Sequence, residues 1–334
     1  MSRQIRLAAR PVGEINDSDF ELVEVPEADP EDGQFVAEVT HISIDPAMRG
    51  WMNAGRSYIE PVEVGDVMRA LTLGKVVASR HEGFGEGDVV MGTFGVSEHA
   101  VSDGKGVTKL QPAEGASLSA HLGILGMTGF TAYFGLLDVG HLREGDTVLV
   151  SGAAGAVGTA VGQIAKIKGA RAVGIAGGPE KCRVLVEELG FDAAVDYKSG
   201  DLRGELRQRT PDYVDVFFDN VGGEILDQGL TRLARGARVV VCGAVSQYNN
   251  RAAMAGPSNY IMLLVARASM TGFVVFDYAR RYPEALADLS TWHAEGRLRS
   301  VEDTVRGDIA SFPEMLARLF SGKNLGKLVL ELAR

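Results

Sequence analysis

Residues 147–168 read Thr-Val-Leu-Val-Ser-Gly-Ala-Ala-Gly-Ala-Val-Gly-Thr-Ala-Val-Gly-Gln-Ile-Ala-Lys-Ile-Lys. The apolar run Val148–Val150 reads as a buried parallel strand. A turn of small residues follows, Ser151–Gly158, and then Ala160, Val161, Ile164, Ala165 and Ile167 recur at helical spacing. Strand, glycine-rich turn and helix in this order make a dinucleotide-binding turn. Gly155 has no Cβ, so the backbone there can come close to a pyrophosphate, and Gly158 lets the helix pack hard on the strand. Free N–H groups and the positive end of the helix dipole then face the phosphates. Against the pattern G-x-G-x-x-G the first glycine is Ala153. A tight turn serving only helix packing explains the same glycines, but the strand before and the helix after favour a nucleotide site.

Around this stretch the chain divides by character. Its 334 residues suggest about two domains. Residues 1–125 are β-rich: Phe20–Val25, Gln34–Ile44, Leu73–Ala78 and Asp88–Phe94 are strand candidates, punctuated by Gly and Pro, and they suggest a twisted, barrel-like domain. Residues 126–299 alternate strand and helix, as in a doubly wound parallel sheet. The strands expected there are Thr147–Ser151, Arg171–Ala176, Ala193–Val195, Tyr213–Asp219, Arg238–Cys242 and Met270–Phe276. Helices are expected at Gly158–Lys168, Glu180–Leu189, Leu202–Arg209, Gly223–Ala234, Tyr260–Ala268 and from Tyr282 to Glu295, with Gly190 and Gly236 as helix C-caps. The last segment, 300–334, carries a helix near Phe312–Phe320 and a strand, Leu328–Leu332, but no complete α/β unit, so it is expected to pack back on the first domain.

Composition narrows the function classes. The net charge is −10 with no Lys/Arg block, which argues against nucleic acid and against an anionic membrane surface as partner. No apolar run reaches ~18 residues, and Met1–Arg10 lacks the apolar core of a secretory signal. Two cysteines, Cys182 and Cys242, fit a reducing compartment, so a cytoplasmic location is expected. They are too few for a four-Cys zinc lobe, and the six histidines form no ligand pair at helical spacing, so no metal site is expected.

The end of the second strand distinguishes NAD from NADP. A carboxylate there would hold the ribose 2′-OH and repel a 2′-phosphate. The sequence is instead Ile175-Ala176-Gly177-Gly178-Pro179-Glu180-Lys181. Gly177 and Gly178 leave room for a phosphate and Lys181 offers a positive charge, which favours NADP. Glu180 is close to that position, and Lys181 is also explained as a solvated first-turn lysine.

Further motifs stand in order along nearly the whole chain: Asp45-Pro46-Ala47-Met48-Arg49-Gly50, Gly126-Met127-Thr128-Gly129-Phe130-Thr131-Ala132-Tyr133, Ala153-Ala154-Gly155-Ala156-Val157-Gly158, Phe218-Asp219-Asn220-Val221-Gly222-Gly223, Cys242-Gly243-Ala244-Val245-Ser246, Gly272-Phe273-Val274-Val275 and Asn324-Leu325-Gly326-Lys327. In these the chain resembles the zinc-independent medium-chain dehydrogenase/reductase superfamily, and within it the alkenal/prostaglandin (leukotriene) reductase group. The resemblance implies a Rossmann sheet at 126–299 that binds NADP, and a GroES-like substrate domain at 1–125 completed by 300–334. It implies NADPH-dependent reduction of the C=C bond of α,β-unsaturated aldehydes or ketones, with hydride arriving at the β-carbon and no metal.

It also implies roles for individual residues. Ala153, Ala154, Gly155, Ala156 and Val157 would meet the pyrophosphate. Lys181, beside Gly177, would hold the 2′-phosphate, with Tyr197 near the adenosine phosphate. Asn220 would contact the ribose, a position that a strand-end turn Asn would also occupy. Cys242, Gly243, Ala244, Ser246 and Tyr248 would border the nicotinamide half, with Cys242 as a packing residue and not a nucleophile. Met127 and Thr128 would flank the nicotinamide. Phe273, Val274 and Val275 would form the last strand with backbone groups toward the carboxamide, and Asn324 would reach the cofactor from the C-terminal segment.

One position departs from the group. Relatives often carry a tyrosine eight residues before the Phe of G-F-V-V, and here that position is Val265. Tyr260, on the same expected helix, and Tyr58 are the candidate donors to the substrate carbonyl, with plain aromatic packing as the competing explanation of each. The pocket is expected between the domains, walled by Trp51, Met52, Met68, Ile261 and Leu264. The other readings that fit are a quinone reductase of the same superfamily and a non-catalytic NADPH-binding protein. The resemblance and the apolar last strand together imply a homodimer.

Overall fold

The computed structural model describes residues 1–111, 117–251 and 254–333. It separates into two compact units, Met1–Leu122 with Glu302–Arg334, and Gly123–Val301.

The first unit is built on antiparallel strands: β1 (Ser2–Leu7), β2 (Phe20–Val25), β3 (Phe35–Ser43), β4 (Thr72–Ser79), β5 (Val89–Gly92), β6 (His99–Ser102) and β7 (Thr108–Lys109), joined late in the chain by β14 (Glu302–Gly307) and β15 (Lys327–Leu332). The strand β1 pairs with β2, and the larger sheet runs β14-β15-β3-β4-β5-β7 with β6 also on β3. Ile5, Leu7, Ile42, Ile44, Met48, Met52 and Met68 pack in its core with the helix α9 (Phe312–Phe320), whose Phe312 meets Phe20 edge-on at 5.5 Å. A short helix, α1 (Ala47–Trp51), follows β3.

The C-terminal segment contradicts one expectation. β14, α9 and β15 form a complete crossover, because β14 and β15 pair in parallel from Glu302↔Lys327 to Gly307↔Leu332. The sequence hid β14, since Glu-Asp-Thr-Val-Arg-Gly shows one apolar side chain and no buried residue.

The second unit is a six-stranded, wholly parallel sheet: β8 (Thr147–Ser151), β9 (Arg171–Ala176), β10 (Ala193–Asp196), β11 (Val214–Asp219), β12 (Leu233–Val241) and β13 (Ser269–Gly272). The order is β10-β9-β8-β11-β12-β13. Every residue of β8 is buried, as the apolar run required. The helices are α2 (Met127–Phe134), α3 (Ala156–Ile167), α4 (Pro179–Arg183), α5 (Leu202–Arg209), α6 (Gly223–Leu230), α7 (Ile261–Ala266) and α8 (Tyr282–Ala294). Strand order reverses between β8 and β11, the point where such sheets open a ligand crevice at the carboxyl ends of the strands.

Two boundaries differ from expectation. Gly236, at φ +78°, is not a helix C-cap but sits inside β12, where the pairing with β11 shifts register between Val214 and Val216. The helix α6 has already ended at Leu230. Gly190, at φ +72°, does follow a helical segment, as expected. The last strand is shorter than predicted: β13 stops at Gly272, and Val275–Arg281 is a 3-10 helix. Phe273 leaves the sheet to pack against Phe218, ring centroids 6.4 Å apart, and the Val275 carbonyl accepts the Tyr282 hydroxyl at 3.1 Å. Among the described residues no helix is long and apolar enough to cross a membrane.

Candidate functional site

The carboxyl ends of β8 and β11 are tied into one polar knot. Ser151 Oγ donates to Asp219 Oδ1 at 2.6 Å and accepts from the Asn220 N–H at 2.8 Å. Asn220 Nδ2 donates to the Ser151 carbonyl at 2.7 Å. The Asp219 carboxylate also accepts from the N–H groups of Val221 and Gly222. Burial raises the Asp219 pKa above the ordinary carboxylate value, while these donors pull it back down. The knot sets the spacing of the two strand ends that flank the switch point. Asn220 is thus a brace between the two strand ends.

From Ser151 the chain turns through Gly152–Gly155 into α3. Gly158 is required by contact: a Cβ there would lie 2.3 Å from the Gly152 carbonyl oxygen and 2.6 Å from Ala153 Cα. Gly155 is the N-cap, and no side chain caps the helix. The first-turn N–H groups at Ala156 and Val157 therefore have no partner within the helix. Their open donors and the dipole of a twelve-residue helix suit a pyrophosphate. This is the first half of the fit to a dinucleotide.

The second half lies after β9. No carboxylate ends that strand. Gly177 faces Tyr197 and Lys198, since a Cβ on it would come within 2.8 Å of the Tyr197 ring and 2.9 Å of Lys198 Cε. Asp196 Oδ1 accepts from Gly178 N at 2.8 Å and Lys198 N at 2.9 Å, which holds the two turns side by side. Lys181 stands in α4 two residues after its first residue, Pro179. The Glu180 carboxylate pairs with Arg183 at 2.7 Å. Lys198 is a second cation here that the sequence reading passed over. It carries no motif, and only the folded turn brings it to Gly177.

Residues 242–248 close over the end of β11. The N–H groups of Cys242 and Gly243 donate to the Asp219 carbonyl, and Ser246 Oγ donates to the Val221 carbonyl at 2.7 Å. Tyr248 Oη accepts from Ala244 N at 3.1 Å and lies close over Gly243. Burial pushes the Cys242 thiol up to about 12, which suits packing and not nucleophilic attack.

At the start of α2, Thr128 Oγ1 is buried without a partner, a polar atom awaiting a ligand group. The Tyr282 hydroxyl lies 3.6 Å from Met127 Sδ as well as on the Val275 carbonyl, so it links Met127 to the segment after β13. Phe273 and Val274 lie outside any strand, contrary to expectation.

The remaining candidates lie elsewhere. Tyr260 precedes α7 as its N-cap residue and is 64% exposed. Tyr58 and Asn324 belong to the first unit, where Tyr58 is exposed and Asn324 is buried, its Nδ2 donating to the Gly326 carbonyl at 3.0 Å. Met52 and Met68 are core residues with no exposed surface, and so are not pocket walls. Among the described residues no three His, Cys, Asp or Glu side chains gather as a metal-ligating group.

Comparison with known proteins bears on the whole of this arrangement. A family model described as an N-terminal domain of oxidoreductase matches residues 3–110, and one described as zinc-binding dehydrogenase matches residues 156–291. The chain is 39% identical to the NADPH-dependent curcumin reductase of Escherichia coli, over 99% of this chain and 97% of that protein. It is 39% identical to prostaglandin reductase 1 of Rattus norvegicus, over 94% of each. It is 37% identical to the NADP(+)-dependent 2-alkenal reductase of Nicotiana tabacum, over 100% and 98%. The crystal structure of CurA from Vibrio vulnificus in complex with NADPH superposes with a TM-score of 0.94 at 40% identity, over 99% of each chain. The chain belongs to the alkenal/prostaglandin reductase group of the zinc-independent medium-chain dehydrogenases/reductases, and it is an NADP(H)-dependent oxidoreductase.

Proposed function

We propose that this enzyme reduces the C=C bond of α,β-unsaturated aldehydes and ketones with NADPH, without a metal. The observation that carries the reading is similarity along the full chain to proteins named for reduction of 2-alkenals, curcumin and prostaglandins. When bound, the cofactor supplies a hydride, which suits the electron-poor β-carbon of an enone. The chain's own residues do the rest. Ala153–Val157 take the pyrophosphate, with the N–H groups of Ala156 and Val157 as donors. Lys181, Lys198 and Tyr197 take the 2′-phosphate beside Gly177. Asn220 and residues 242–248 fix the nicotinamide half, with Met127, Thr128 and the segment Phe273–Val274.

Negative charge grows on the carbonyl oxygen as the β-carbon gains its hydride, and a donor there lowers the barrier. Tyr260 or Tyr58, the nicotinamide ribose hydroxyl or a backbone N–H fills that role in this reading, and a tyrosine or solvent returns the proton to the α-carbon. The protein acts as a homodimer in the cytoplasm, where its two free cysteines stay reduced.

The test is NADPH oxidation with a panel of a trans-2-alkenal, an alkenone, a quinone and a saturated aldehyde, each repeated with NADH. Turnover of the two alkenes with NADPH, and little with NADH, is the expected result. Turnover of the quinone alone would make the enzyme a quinone reductase. Tight NADPH binding without any turnover would leave a cofactor-binding protein.

A further inference from the structure

A second groove opens at the other end of the parallel sheet. It lies by Tyr213 and Leu233, at the amino ends of β11 and β12, whereas the dinucleotide turn lies at carboxyl ends. A six-residue strand separates the two by about 20 Å. The groove holds about 600 Å³, within the range of small-molecule sites.

Four guanidinium groups border it: Arg203, Arg207, Arg232 and Arg235. Arg203 and Arg207 are four apart on α5 and share a face. Among the described residues none of the four is in an ion pair with a carboxylate. The one lining carboxylate, Asp201, is engaged as the N-cap of α5, accepting from Gly204 N at 2.9 Å. On a chain of net charge −10 this gathering of unpaired cations stands out.

Two more features shape the groove. Tyr213 sits at φ +68°, a conformation costly for a residue with a side chain, and it stays 48% exposed at the groove. Arg232 stacks on that ring at 4.4 Å, and its guanidinium is fixed by the Thr210 hydroxyl and carbonyl. The floor is apolar, from Leu233, Met262 and Val265.

We propose that this groove is a second ligand site, which binds a small organophosphate with an apolar or aromatic body. The phosphate would meet the guanidinium groups, and the body would lie on the Leu233–Met262–Val265 floor beside Tyr213. A phosphate, with nearly two negative charges, answers four cations better than a single carboxylate does, and arginine suits it geometrically.

The test is calorimetric titration of the NADP-saturated enzyme with 1-naphthyl phosphate and with inorganic phosphate. With the cofactor site filled, 1-naphthyl phosphate is expected to bind at least tenfold more tightly than inorganic phosphate. The double variant R203Q/R207Q and the separate variant R235Q are each expected to weaken it at least tenfold, with NADPH turnover unchanged. Equal affinity in wild type and variants would overturn the proposal, as would binding only when NADP is absent. It would also fall if the variants changed the oligomeric state by sedimentation, because the groove would then be an interface between copies. Both variants alter exposed side chains, and their melting curves report whether they fold.

Discussion

Lys181 and Asp219 show what single residues contribute and how differently the sequence discloses them. The proposed role of Lys181 rests on two features that a linear pattern shows, a missing acid at the end of β9 and a nearby lysine. A charge-assisted bond to a phosphate is worth about 1.5–3 kcal/mol. The variant K181A should therefore raise the KM for NADPH by roughly 10- to 100-fold, leave the KM for NADH unchanged, and so erode the preference; steady-state kinetics with both cofactors reads this directly. Asp219 lies in the Phe218–Gly223 motif, but nothing in a linear pattern marks its carboxylate as the acceptor for Ser151 and two backbone N–H groups. In D219N an amide N–H would face donors it cannot accept from, and the fold should lose about 1–3 kcal/mol in urea unfolding. The sign of the pH dependence follows from burial. The folded pKa lies above the unfolded one, so the native state binds this proton more tightly, and stability falls as pH rises from the ordinary carboxylate range through the folded value. The variant lacks that decline, so the stability gap between wild type and D219N should be wider at about pH 4.5 than at about pH 7.5.

At the scale of elements, the strand–turn–helix unit β8–α3 carries the fold, and its tolerance is set at Gly158. A methyl group there meets backbone atoms of Gly152 and Ala153, which cannot swing aside as a side chain would. G158A should push α3 away from the turn, cost about 1–3 kcal/mol as overpacking does, and weaken NADPH binding along with stability. A variant that melts like wild type and binds NADPH normally would show that the helix is free to shift. Elements with strong period or composition were legible: β8, β9, α5 and α9 stand where the sequence placed them. Those set by tertiary contact were not. β14 is polar and is a strand only because β15 lies beside it. The run Phe273–Val275 looks like strand continuation, but Phe273 finds its partner in Phe218 and the backbone turns away. β12 begins at Leu233, five residues before the expected strand, because Gly236 bends it through a bulge that local propensity reads as a helix end.

At the scale of the whole molecule, the two-part fold class was legible because repeated βα alternation has few packings, whereas assembly leaves only an edge and a patch as its trace. β13 is one of the two edge strands of the second unit's sheet, and among the described residues no strand lies on its outer hydrogen-bonding side. Just before it, Tyr260, Ile261 and Leu264 expose 52–73% of their surface. Large apolar side chains gathered next to an unpaired edge are costly in water and invite pairing with another chain. A twofold axis beside β13 would pair it with its own copy, and one such isologous contact closes the assembly at two chains. A stable interface of this kind needs about 800 Å² per partner, more than a single short strand supplies, so the helix α7 must take part. Sedimentation equilibrium of the wild type should give twice the chain mass. Replacing Ile261 and Leu264 by Asp puts two charges into the contact, and I261D/L264D should sediment as a monomer that keeps the wild-type circular dichroism spectrum but melts lower, having lost its partner. A wild type that sediments as a monomer would remove the dimer from the reading. A variant that remains dimeric would move the interface away from α7.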